Sequence, residues 1–162
     1  MSPPYGWPHA GTDGPPVWRD RGFAELVDLH PVLSAMRELL DGPGAAAFEA
    51  QGHIRAIESS YAARRYGSLL YALARVLRPT AAVEIGVYQG FSLLSLAAAI
   101  RDNGAGHVTG YDLFEAYPYR RAEQARVRQT VAAAGLEPWA SLVAADAFTV
   151  HERWPSVDLL HV

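Results

Sequence analysis

The sequence predicts an α/β fold, a parallel sheet with helices on both faces, and three observations carry that prediction. Apolar runs of strand length alternate with helical periodicity from residue 66 to the last residue. Residues 83–92, Val-Glu-Ile-Gly-Val-Tyr-Gln-Gly-Phe-Ser, break an apolar strand on two glycines and pass directly into a helical pattern. Apolar strands end in or near an acid at Glu84, Asp112 and Asp146. A strand, a glycine turn and a helix make the first half of a βαβ unit, whose turn lies outside the carboxyl ends of the strands. Glycine there lets a ligand approach the backbone, and the helix N-terminus offers N–H groups to an anion. The stretch 83–92 therefore reads as a cradle for a nucleotide or cofactor.

Composition narrows the field. A chain of 162 residues defaults to one domain. Fourteen Lys and Arg against seventeen Asp and Glu give a net charge of −3, so neither a nucleic acid nor an anionic membrane is the expected partner. Cysteine is absent, which removes disulfides, thiolate metal sites and cysteine nucleophiles together. Residues 1–30 lack the charged-then-apolar layout of a signal peptide, and no apolar run is long enough to span a bilayer. The expectation is a soluble cytoplasmic protein.

Along the chain, residues 1–22 hold Pro3, Pro4, Pro8, Pro15 and Pro16 among four glycines and read as a disordered arm with Tyr5, Trp7 and Trp18 as apolar anchors. Residues 23–162 read as one globular unit, a helical cap over 23–64 and a βα core over 65–162. Phe23 to Leu40 is helical, interrupted at His30-Pro31, with Pro31 opening a second segment that Gly42-Pro43-Gly44 stops. Residues 45–62 are Ala-rich and weakly helical, with Phe48, Ile54, Ile57 and Tyr61 spaced for partial burial. Tyr66, Leu69, Leu70, Leu73 and Leu77 mark an amphipathic helix that ends at Arg78-Pro79 and lies against the sheet.

Ala81 to Ile85 forms the first strand, and Leu93, Leu96, Ala97 and Ile100 give the helix at 91–102 one apolar face. A Gly-rich loop leads to a second strand at 107–112, and a loop at 113–118 leads to a helix at 119–134. The arginines of that helix, Arg120, Arg121, Arg126 and Arg128, read as a solvated face balanced by Glu115 and Glu123. A third strand covers 141–145, a short helix or turn 147–154, and a fourth strand 157–162.

An acid ending the second strand of a mononucleotide-binding half can accept both hydroxyls of a ribose diol, and Asp112 is placed for that. Asp146 can accept from an adenine amino group while Phe148 packs on the ring. Taken one at a time, Asp112 and Asp146 could equally be loop or helix caps; three acids in register behind a glycine turn point to a site. The spacing Glu84-Ile85-Gly86-Val87-Tyr88-Gln89-Gly90 lacks the G-x-G-x-x-G of dinucleotide enzymes, and no G-x-x-x-x-G-K-[ST] is present.

The segment resembles motif I of the class I S-adenosylmethionine-dependent methyltransferases. Thr109-Gly110-Tyr111-Asp112 resembles the acidic second-strand motif, Ala144-Ala145-Asp146-Ala147-Phe148 the adenine-side motif, and Val157 to Val162 the fourth-strand motif. The resemblance spans about residues 62–162 and is nearest to small-molecule O-methyltransferases of the macrocin type. It implies a Rossmann-like fold whose cofactor is S-adenosylmethionine, with the methionine moiety and ribose over Gly86 and Gly90. Asp112 and its neighbour Leu113 then hold the ribose side, and Asp146, Ala147 and Phe148 the adenine. Glu84 sits beneath the loop, orienting it or meeting the methionine amino group through water, while Val87, Tyr88, Gln89 and Ser92 supply further contacts.

In this family the fourth-strand motif continues into an Asp that faces the methyl group or ligates a divalent metal, so Mg is a cofactor the resemblance allows in a full-length protein. Ending at Val162, the chain is expected to be a fragment, the first four strands of a larger sheet. No histidine spacing within it suits a metal, and no catalytic residue is nominated; His161 and His151 read as local hydrogen-bonding groups near the carboxyl edge. The expected partner is a small-molecule methyl acceptor such as a sugar or natural product, and the sequence is open to homo-oligomerisation. Two other readings are a non-catalytic adenosine-binding module and a nicotinamide oxidoreductase domain, the latter opposed by the glycine spacing.

Overall fold

In a computed structural model of the chain, the residues described are 16–162 apart from 20, 28, 50, 56, 58, 60–64, 119–121 and 155. The expectations for residues 1–15, Tyr61, Arg120 and Arg121 fall outside them.

Strands β1 (Ala81–Ile85), β2 (His107–Asp112), β3 (Ala140–Ala144) and β4 (Leu159–His161) form one parallel sheet in the order β3-β2-β1-β4. The register sets Glu84 beside Gly110 on one flank and His161 on the other, and Asp112 beside Ala144. Parallel crossovers are right-handed, so the steps β1→β2→β3 carry their helices to one face and the return from β3 to β4 carries its connection to the other. This is the expected two-faced arrangement. The strand order reverses between β1 and β4, and the carboxyl edge beside that reversal is where open α/β sheets bind ligands.

Helix α5 (Tyr66–Leu77) begins and ends where the periodicity and Pro79 placed it. Helix α6 (Phe91–Asn103) departs from expectation: residues 91–100 are buried all round, not along one stripe. Contacts with α5 on one side and with β2 and β3 on the other enclose it, and the small side chains Ser95 and Ala97 to Ala99 permit the close approach. Polar groups on this contact are matched. The Tyr71 hydroxyl donates to Asp102 Oδ2 at 2.7 Å, Asn103 Nδ2 donates to the Ala74 carbonyl at 2.9 Å, and Ser95 Oγ donates to the Phe91 carbonyl at 2.7 Å.

The helical cap is α1 (Arg21–Val27), α2 (Pro31–Asp41), α3 (Pro43–Glu49) and α4 (Gly52–Arg55). His30 caps α2, its Nδ1 accepting from the Val32 N–H at 3.2 Å, with Pro31 in the first turn. Gly42 ends α2 as read, but Pro43 opens α3, because a proline without an N–H suits a first helical turn. The arm boundary at 22 also moves. Val17–Arg19 forms a short 3-10 turn, and Trp18 is buried with Met36, Leu40, Ala45 and Ala72, so this part of the arm belongs to the cap. Local breakers signalled the missing periodicity but not the tertiary contact.

Two boundaries shift in the core. Helix α7 (Gln124–Ala133) starts later than 119 because Glu123 is extended (φ −89°, ψ 112°), and β3 begins one residue early. Arg128 is not merely solvated: its guanidinium donates to the Leu142 carbonyl at 2.9 Å and ties α7 to β3. Helix α8 (Ala147–Val150) and a 3-10 turn at His151–Arg153 precede β4.

Trp18→Ala is expected to destabilise the fold by about 3–5 kcal/mol through the cavity it leaves. Denaturant unfolding of the variant reads this directly, and a loss under about 1 kcal/mol would show that Trp18 is not packed in the cap.

Candidate cofactor-binding site

The turn after β1 is built from three left-handed residues, Gly86 (φ 84°), Tyr88 (φ 49°) and Gly90 (φ 86°). Glycine suits two of them. A Cβ on Gly86 would meet open space, so the cost there is conformational, whereas a Cβ on Gly90 would lie 2.9 Å from Val127 Cγ1 as well. The strained Tyr88 is held in place, because its N–H donates to Asp112 Oδ2 at 2.7 Å. Asp112 Oδ1 accepts from the Phe114 N–H at 2.7 Å, so one carboxylate joins the glycine loop to the turn that follows β2.

Beside this loop lies an open cleft of about 440 Å³, within the range of small-molecule sites. Gly86, Tyr88, Asp112, Leu113, Asp146, Ala147 and Phe148, all predicted from sequence, line it. Asp146 is also the cap of α8, its Oδ1 accepting from the Phe148 N–H at 2.9 Å, so it both caps a helix and lines the cleft. Phe148 projects into solvent at 81% exposure on the cleft wall. The sequence reading missed Ile85, Tyr111, Tyr117, Ala122 and Ala145, which complete the lining. Tyr111 precedes Asp112 and stacks on Trp154 with ring centroids 5.2 Å apart. Its aromatic ring beside a strand-end acid was the available signal.

The remaining predicted residues do not line the cleft. Val87 and Gly90 are buried, and Gln89 Nε2 donates to the Tyr88 hydroxyl at 3.2 Å. Glu84 was expected to share the crevice with Asp112 and Asp146; instead it is fully buried, because the register turns it toward α6. There Ser92 Oγ donates to Glu84 Oε1, and His161 Nδ1 lies 3.3 Å from the same oxygen. Glu84 Oε2 is buried without a hydrogen-bond partner. Burial pushes the Glu84 carboxyl up from its ordinary range; the His161 and Ser92 hydrogen bonds oppose that shift, and Asp112 adds to it. Of the other acids and histidines considered, Asp158 is at the far end of the sheet, its Oδ2 accepting from the N–H groups of Thr80 and Ala81 at 2.8 and 3.0 Å. His151 is local, with Nδ1 2.9 Å from the Phe148 carbonyl. Among the described residues no group of three or more His, Asp or Glu could hold a metal ion.

Residues 83–162 match a family described as a methyltransferase domain. Two of the solved structures that the chain resembles, those from Geobacter sulfurreducens and MTB, share its fold. A methyltransferase from Geobacter sulfurreducens is 20% identical over 87% of this chain, with a TM-score of 0.51. A cofactor-bound protein from MTB is 22% identical over 81%, with a TM-score of 0.50. An SAH-bound methyltransferase from Podospora anserina is 18% identical over 85%, with a TM-score of 0.48. The chain spans 65%, 52% and 55% of those three proteins. No curated protein matches it.

A second cavity of about 360 Å³, lined by Gln51, Gly52, His53, Ile54, Arg101 and Ala134, lies away from the glycine loop. No helix among the described residues is long and apolar enough to cross a membrane.

A raised carboxyl pKa means that the folded domain favours protonated Glu84. The stability Glu84 contributes is full below the ordinary carboxylate range and is lost as pH rises through the raised value. Glu84→Gln should therefore gain in melting temperature over the parent as pH rises above the ordinary carboxylate range. A difference that does not change with pH would contradict the buried charge.

Proposed function

We propose that the chain is the cofactor-binding half of an S-adenosylmethionine-dependent methyltransferase that methylates a hydroxyl of a small molecule, such as a sugar or natural product. The cleft carries this reading: two strand-end carboxylates, Asp112 and Asp146, stand beside a left-handed glycine loop at the carboxyl edge of a parallel sheet. The family match over residues 83–162 supports it.

The residues present fit the cofactor. Each Asp112 oxygen accepts one backbone N–H and keeps a lone-pair site, which suits the two hydroxyls of a ribose. Asp146 and Phe148 offer an acceptor and an apolar ring for adenine, and Gly86 leaves room over the loop for the methionine end. Leu113 and Tyr117, both partly exposed, wall the ribose side. Bound there, the cofactor would supply an electrophilic methyl group, whose transfer needs the acceptor oxygen held in line with it. An uncharged hydroxyl acceptor suits a chain with no cationic surplus. The acceptor side, any metal and any assembly into oligomers belong to the rest of this proposal and rest on the family resemblance.

Calorimetric titration tests the reading. S-adenosylhomocysteine should bind and NAD should not, and a preference for NAD would overturn it. Asp112→Asn should weaken S-adenosylhomocysteine by about 10- to 100-fold, the worth of one or two hydrogen bonds to a charged acceptor. Unchanged affinity would remove Asp112 from the site.

A further inference from the structure

Glu84 is the one fully buried acid among the described residues, and it touches no part of the cleft. Three elements meet on it. It stands on β1, one of its oxygens takes the hydroxyl of Ser92 in the first turn of α6, and the same oxygen faces His161 on β4. The glycine loop runs from Gly86 to Gly90 between these contacts, so whatever fixes Glu84 against Ser92 also fixes the end of the loop and the first N–H groups of α6. The groups facing Glu84 are few. His161 approaches from β4, the Ser92 hydroxyl from α6, and the Asp112 carboxylate acts from β2. Among the described residues the imidazole is thus the one basic side chain facing Glu84, 3.3 Å from its Oε1.

We propose that Glu84, held between the Ser92 hydroxyl and the His161 imidazole, shares one proton with His161 and so braces the start of α6, making His161 a positioning residue of the cofactor cradle. With the proton present, the pair is neutral overall and Glu84 stays locked between Ser92 and His161. Without it, a carboxylate is left buried with an unpartnered oxygen and no counter-charge, a state that a protein relieves by moving the group or admitting water. The first turn of α6 then shifts, and with it the N–H groups next to Gly90. The effect on cofactor binding rests on the function proposed above; the coupling between the pair and the helix does not.

Two measurements on the full chain separate those claims. The first follows backbone amide resonances of residues 86–92 as pH rises from about 5 to about 8, in the parent and in His161→Asn. The asparagine amide can donate near the position of Nδ1 but carries no charge. The amides of Phe91 and Ser92 should follow one transition in the parent and none in the variant. The second repeats S-adenosylhomocysteine calorimetry over the same pH range, where affinity should fall by about 10-fold across the transition in the parent and stay flat in His161→Asn. Amides that do not titrate, or that titrate alike in both proteins, overturn the proposal. A titrating helix start together with no S-adenosylhomocysteine binding at any pH supports the brace and overturns the cofactor reading instead. Should His161→Asn be poorly folded, Ser92→Ala serves the same purpose: it cuts the link to α6 while leaving the pair, so the amide transition should vanish.

Discussion

One carboxylate, that of Asp112, connects the parts of this molecule that matter for binding. It ends β2, yet its hydrogen bonds reach out of the strand, to the N–H of Tyr88 in the glycine loop and to the N–H of Phe114 in the next turn. Tyr88 sits in a left-handed conformation that a bulky residue does not adopt unaided, at a cost of about 1 kcal/mol or more. A charge-assisted hydrogen bond is strong enough to offset it. The sheet supplies the rest of the constraint. Pairing of β1 with β2 extends past the strand, with the Gly86 N–H donating to the Tyr111 carbonyl at 2.8 Å, so loop and acid are held at a fixed spacing.

The acids at the carboxyl edge have divided roles, and the pleat decides which is which. Asp112 and Asp146 lie beyond or at the ends of their strands and open onto the cleft. Glu84 lies one residue inside β1, on the face that α6 covers, and is excluded from water. The first two line the cleft, whereas the third meets Ser92 and His161.

Much of this was legible in the sequence. The bounds of α5 and β1 follow from Pro79, which both stops a helix and precedes a buried strand, and Asp112 is marked as a strand-end acid by the apolar run before it. Other features depend on distances along the chain that local patterns do not reach. Trp18 finds its partners on α2 and α5, Tyr117 enters the cleft by the path of a loop, and α6 loses its solvent face to a helix that precedes it by more than a strand. Glu84 is the instructive case. Alternation along β1 already puts it on the same face as Ala82, and Ser92 follows eight residues later at the helix start; placing His161 on the other flank required the order of the sheet.

In the function proposed above, the cleft beside the glycine loop is the place where an adenosine-containing cofactor binds. Hydrogen exchange with and without S-adenosylhomocysteine tests that most directly. Protection confined to residues 86–92, 111–117 and 146–148 is the predicted result. Protection centred on residues 51–54 and the C-terminal end of α6, around the second cavity, or none anywhere, would contradict it.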